Sequence, residues 1–185
     1  MNERTAMKFK DKVVLVTGAS RGIGAGIAHA FAAEGATVVV NHVSNAAAAA
    51  EVVAQCQAAG GDAWAVKADV GSALAVQAMV DEIVRETGRI DVVVNNAFRP
   101  YAFDPERRTL FDDIAWPDYQ AQFDGAVGGA FHVCRAVLPQ FRQRAQGCIV
   151  NIVSDLVERP VVPYHAYTTA TVSYTHLRAH ETKAN

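Results

Sequence analysis

The chain has 185 residues, 51% hydrophobic and 19% charged, with a formal net charge of −2. That length suits one domain with its own core, and so small a charge gives no reason to expect nucleic acid or an anionic membrane as partner. No apolar run approaches the ~20 residues of a membrane-spanning helix, the opening MNERTAMKFKDK is too polar for a secretion signal, and three widely spaced cysteines, Cys56, Cys134 and Cys148, read as reduced, mostly buried thiols of a cytoplasmic protein.

VVLVT at 13–17 is almost continuously apolar and predicts a strand covered on both faces. TGASRGIG follows, and 22–34 has a helical pattern. ATVVVN (36–41), AWAVKAD (63–69) and DVVVN (91–95) predict the next three strands, with helices over 45–59 and 72–87 between them. An irregular loop at 98–115 leads into one long predicted helix, 117–143, and CIVNIV (148–153) predicts a fifth strand. Gly35, Gly60, Gly61, Gly88 and Gly147 stand at helix ends, where a left-handed cap residue is useful. Strand–helix alternation implies a parallel sheet with right-handed crossovers and helices on both faces. The expected fold is a Rossmann-type, doubly wound α/β sheet, with ligands at the carboxyl edge of the strands.

TGASRGIG lies where the first strand turns into the first helix. Gly18, Gly22 and Gly24 allow a tight turn, close backbone approach to a phosphate, and close helix–strand packing. The amides of the loop, from Gly18 through Ser20, Arg21, Gly22 and Ile23 to Gly24, can then hold a pyrophosphate at the positive helix end. The second strand ends in Asn41 and His42, with no carboxylate to bond a ribose hydroxyl or repel a 2′-phosphate. Arg21 in the glycine loop can pair with that phosphate. Both features favour NADP(H) over NAD(H).

The spacing T-G-x-x-x-G-x-G, together with ADV (68–70), NNA (95–97) and a serine thirteen residues before a tyrosine (Ser154, Tyr167), resembles the short-chain dehydrogenase/reductase family over residues ~9 to 170. GATVVVNHVSNAAAAAEVVAQCQAAGGDAWAVKADV is similar to its 3-oxoacyl-[acyl-carrier-protein] reductase branch. The resemblance implies that Asp69 and Val70 meet the adenine and that Asn95 and Ala97 line the adenosine side of the cleft. It also implies that Ser154 orients a carbonyl substrate and that Tyr167 donates the proton. Hydride transfer to a ketone leaves negative charge on its oxygen, which needs such a donor. A phenol, with an ordinary pKa of ~10, serves at neutral pH only beside a cation. The family places a lysine one helical turn after the tyrosine, where this chain has Thr171. The family's usual asparagine in the long fourth helix is Ala126 here, and its NNAG reads NNAF, with Phe98 in place of glycine.

VSYTHLRAHET, within 172–185, resembles one reading frame of a transposase-library sequencing adapter. Such an adapter would supply the last two bases of an ACT codon for Thr171, and both lysine codons begin with A. The expectation is therefore a single NADP(H)-binding domain over 1–171, incomplete on its C-terminal side, followed by a non-native tail. The natural residue at 171 would then be lysine. The chain as written is expected to fold poorly and to lack reductase activity. His176 and His180 have helical zinc-ligand spacing but no third ligand, so no metal is expected. The full-length form is expected to be a homotetramer or homodimer acting on a small-molecule carbonyl or alcohol. A non-catalytic dinucleotide-binding or sensing protein of the same fold is the alternative reading.

Overall fold

A computed structural model of the chain describes residues 7–98, 110–158, 164–173 and 177. Most of the 98–115 loop and most of 172–185, His176 and His180 included, lie outside the described residues.

Five strands, β1 (Val13–Val16), β2 (Thr37–His42), β3 (Asp62–Lys67), β4 (Val92–Asn95) and β5 (Cys148–Asn151), form one parallel sheet in the order β3-β2-β1-β4-β5. Side chains alternate across each strand and so divide between two cores. Val14, Val16, Val38 and Val40 pack on the alanine-rich inner faces of α1 (Gly22–Ala33) and α2 (Ala46–Ala58). Leu15, Val39 and Val93 pack on the opposite face, against α3 (Ala73–Thr87) and later Val133, Val137 and Phe141. The strands run outward from β1 through β2 to β3, then cross back to β4 on the other side of β1, so β1 and β4 flank the switch point where this architecture opens a crevice.

The predicted strands and first three helices form within one or two residues of their expected ends. The single helix expected over 117–143 is instead three segments: α4 (Trp116–Phe123), a π turn over Asp124–Gly128, and α5 (Gly129–Arg144). Gly125, Gly128 and Gly129 crowd this stretch, and glycine's wide conformational range tolerates the extra residue of a π turn. Gly35, Gly60 and Gly88 adopt positive φ at helix ends as expected, but Gly61 and Gly147 do not. Ala145 takes the left-handed cap of α5, at φ 49°, and Gly147 leaves room for the Phe141 ring, which any Cβ there would strike. The cysteines are free, and Cys148, expected among mostly buried thiols, is exposed because β5 is the outer strand of this sheet.

The end of the sheet opposite the crevice is tied by an ion cluster. Buried Asp91 accepts from Val13 N at 2.9 Å, Arg89 Nε at 3.0 Å and Arg144 Nη2 at 2.7 Å. Helix α6 (His165–Ser173) carries Tyr167 and buries Ala166, Ala170 and Thr171. Leu177 packs on Ala126, Ala130 and Ala170, and its carbonyl accepts from Asn151 Nδ2 at 3.1 Å.

Candidate functional site

Gly18 and Gly22 sit at φ 62° and 57° between β1 and the first turn of α1. The turn is pressed from below: a Cβ on Gly18 would lie 2.9 Å from Ala97 Cα, and one on Gly24 would lie 2.5 Å from Asn96 Nδ2 and 2.7 Å from the Gly18 carbonyl. Outward the loop is open, since a Cβ on Gly22 would meet nothing within 4 Å. No side chain caps the start of α1, and Arg21 and Ile23 stand exposed there. Uncapped amides facing open space at a positive helix end suit a pyrophosphate, so the residues present fit a dinucleotide.

At the carboxyl edge, Gly18, Asn41 and Ala97 join one connected hydrogen-bond network, with the other expected cofactor residues placed around it. Asn41 is 2% exposed and turned inward. Its Oδ1 accepts from Gly18 N at 3.1 Å, while its Nδ2 donates to the Ala68 carbonyl at 3.0 Å and the Val66 carbonyl at 3.4 Å. It shapes the loop rather than facing a ligand. Ser20 is half-buried in the turn before α1. Asp69 is exposed, and its Oδ1 accepts from Gly71 N at 2.8 Å. Val70 is half-buried beside it. Ala97 lies against Gly18, but Asn95 is buried beneath the edge, donating to Asn151 Oδ1 at 2.8 Å. Strand alternation turns the neighbouring Asn96 toward the glycine loop instead.

Two residues that the sequence reading did not select hold this edge. Thr17 Oγ1 accepts from the amides of Asn96 and Ala97, each at 3.0 Å, and donates to the Val94 carbonyl at 3.2 Å. Asn96 Nδ2 donates to the Thr17 carbonyl at 2.9 Å and the Gly18 carbonyl at 3.2 Å. The signal for both was present, since a threonine opens the glycine motif and two asparagines close β4 beside it.

Ser154 follows β5 and is partly exposed. Its Oγ accepts from Leu156 N at 3.3 Å, and the short 3-10 turn Asp155–Val157 that it begins packs on α6. The Phe98 ring meets the Tyr167 ring edge-on, with centroids 6.1 Å apart and planes at 63°. Ala97 on the glycine loop and Phe98 on Tyr167 are consecutive, so two adjacent residues join the phosphate-ready turn to the phenol. One turn beyond Tyr167, Thr171 is 6% exposed and its hydroxyl donates back to the Tyr167 and Thr168 carbonyls, both at 3.0 Å. Ala126 is buried within the π turn. Among the described residues no group of histidines, cysteines and carboxylates is placed to hold a metal, and no helix is long and apolar enough to cross a membrane.

A sequence model of the short chain dehydrogenase family matches residues 12–184. The chain belongs to the short-chain dehydrogenase family. It is 41% identical to a 3-oxoacyl-[acyl-carrier-protein] reductase of Synechocystis over 143 residues, 77% of this chain and 56% of that protein. A solved 7α-hydroxysteroid dehydrogenase complexed with NADH and 7-oxoglycochenodeoxycholic acid superposes with a TM-score of 0.83 at 30% identity, covering 96% of this chain and 66% of that one. An NAD+-bound xylitol dehydrogenase superposes with a TM-score of 0.81 at 34% identity, over 92% of this chain and 63% of that one. The chain spans 54% to 64% of the length of curated relatives it matches in this family. The resemblance drawn from the glycine spacing and the Ser154–Tyr167 interval therefore identifies the family, and the 3-oxoacyl reductases stand among its similar proteins.

Proposed function

We propose that this chain is the cofactor-binding part of an NADP(H)-dependent short-chain reductase that converts a ketone, with a 3-oxoacyl thioester the leading candidate, to a secondary alcohol. The observation that carries the reading is the line Gly18–Ala97–Phe98–Tyr167, which sets a phenol and a phosphate-ready turn along one strand edge. NADP(H), when bound, supplies the hydride. The amides of Gly22, Ile23 and Gly24 hold the pyrophosphate at the start of α1, and exposed Arg21 takes the 2′-phosphate through charge-assisted bonds. The two solved relatives carry dinucleotides without a 2′-phosphate, so the preference for the 2′-phosphate rests on this chain's own Arg21 and on the lack of a carboxylate at 41–42. Ser154 Oγ orients the carbonyl oxygen and Tyr167 donates the proton to it.

Thr171 breaks that proton path. Its hydroxyl is committed to backbone carbonyls of its own helix and brings no positive charge. We read residues 1–171 as one NADP(H)-binding domain, 172–185 as non-native, and lysine as the natural residue at 171. The whole protein is then a cytoplasmic homotetramer or homodimer. The test joins 1–171 to the C-terminal part of a 3-oxoacyl reductase relative and compares threonine with Thr171→Lys at that codon. Ketone-dependent NADPH oxidation is expected only with lysine, at a rate at least ~100-fold higher, the scale of a lost acid–base partner. Equal turnover in both would refute this proton path. Tight NADPH binding without turnover in either would favour the sensing reading, which the back-bonded Thr171 hydroxyl also suits.

A further inference from the structure

The family resemblance implies that Asp69 and Val70 meet the adenine of the dinucleotide, and this inference rests on that implication and on the proposed cofactor binding. Two residues three apart on α5, and so on one helical face, bear on Val70. His132 Nδ1 lies 3.0 Å from the Val70 carbonyl oxygen. A carbonyl only accepts, so this ring nitrogen carries the proton and donates. A Cβ on Gly129 would stand 2.8 Å from Val70 Cγ2 and 3.4 Å from Val70 Cβ. The β-branched valine has little torsional freedom to retreat. From the other side, Asn41 holds Ala68 and, through Gly18 N, the glycine loop. The turn 68–71 is thus fixed between the phosphate-ready loop and α5. The sheet does not require this contact: α5 seats itself in the core through Val133, Val137 and Phe141.

We propose that His132 and Gly129 are positioning residues for adenine: α5 sets the height and orientation of Val70 through one donated hydrogen bond and one deliberately absent side chain. The decisive experiment titrates ADP and NADPH into the full chain and into His132→Ala, His132→Asn and Gly129→Ala, with ligand-free melting followed in parallel. In asparagine the amide nitrogen falls near the place of Nδ1 and can donate to the same carbonyl. His132→Ala is expected to weaken ADP and NADPH by the same factor, about 3- to 10-fold for one hydrogen bond. His132→Asn should recover most of that loss, and Gly129→Ala should weaken both ligands with little change in melting. Unchanged ADP affinity in both His132→Ala and Gly129→Ala overturns the inference. So does equal weakening in His132→Ala and His132→Asn, or a loss confined to NADPH. An unmodified chain that melts cooperatively yet binds no adenine nucleotide refutes the underlying cofactor reading, and the inference with it.

Discussion

Ala145 closes α5 at φ 49°, a region that costs an ordinary L-residue roughly 1 kcal/mol and glycine nothing comparable. Ala145→Gly is therefore expected to stabilise the chain by about 0.5–1 kcal/mol, less the added freedom of the unfolded state, read as a higher urea midpoint. The sequence placed this cap at Gly147, two residues late, because glycine is the usual signal for a left-handed cap. Packing decided otherwise: the Phe141 ring occupies the space beside Gly147, so that glycine answers to crowding and the turn falls to alanine. Asn95 and Asn96 teach the same lesson. NNA located the strand end, but only the pleat reveals which asparagine turns to the glycine loop. Thr171 was legible as a chemical gap. Its back-bonding to carbonyls one turn earlier was not, because that depends on a helix actually forming there.

Asp91 joins β1, β4 and α5. Burial raises the cost of its charge, yet the Val13 amide, the bond from Arg144 and the charges of Arg89 and Arg144 outweigh that cost and hold its carboxyl below the ordinary range. A lowered folded pKa gives stability that is fully present above the unfolded value of ~3.9 and is lost as pH falls through the folded one. Asp91→Asn is expected to cost about 3 kcal/mol at pH 7, where it leaves two guanidinium groups without their carboxylate. The gap to the parent should narrow below pH ~4, as chemical denaturation at pH 7 and pH 3 would show; a constant gap would contradict the linkage. Strands were readable at this scale because burial on both faces leaves continuous β-branched runs. The break of 117–143 was not readable, since its apolar period continues almost unchanged through the π turn, and the glycines there mark flexibility without naming its form.

Across the whole molecule, the doubly wound architecture follows from the strand–helix alternation, and the strand order places the glycine loop at the switch point. β5 is the outer strand of the described sheet and carries exposed Cys148, whereas burial pushes the Cys56 and Cys134 thiols upward and keeps them protonated. An aromatic disulfide reagent at pH 8 should therefore label one thiol quickly in the native chain and all three only after denaturation; fast labelling of Cys56 would show that the core beneath α1 and α2 is not closed. The most direct check of the account is a fluorescence titration of the purified chain with NADPH and NADH, repeated with Arg21→Ala. NADPH is expected to bind at least ~10-fold more tightly than NADH, a difference of about 1.4 kcal/mol, and Arg21→Ala should erase most of that preference while leaving NADH binding nearly unchanged. Equal affinities, or tighter binding of NADH, would contradict it.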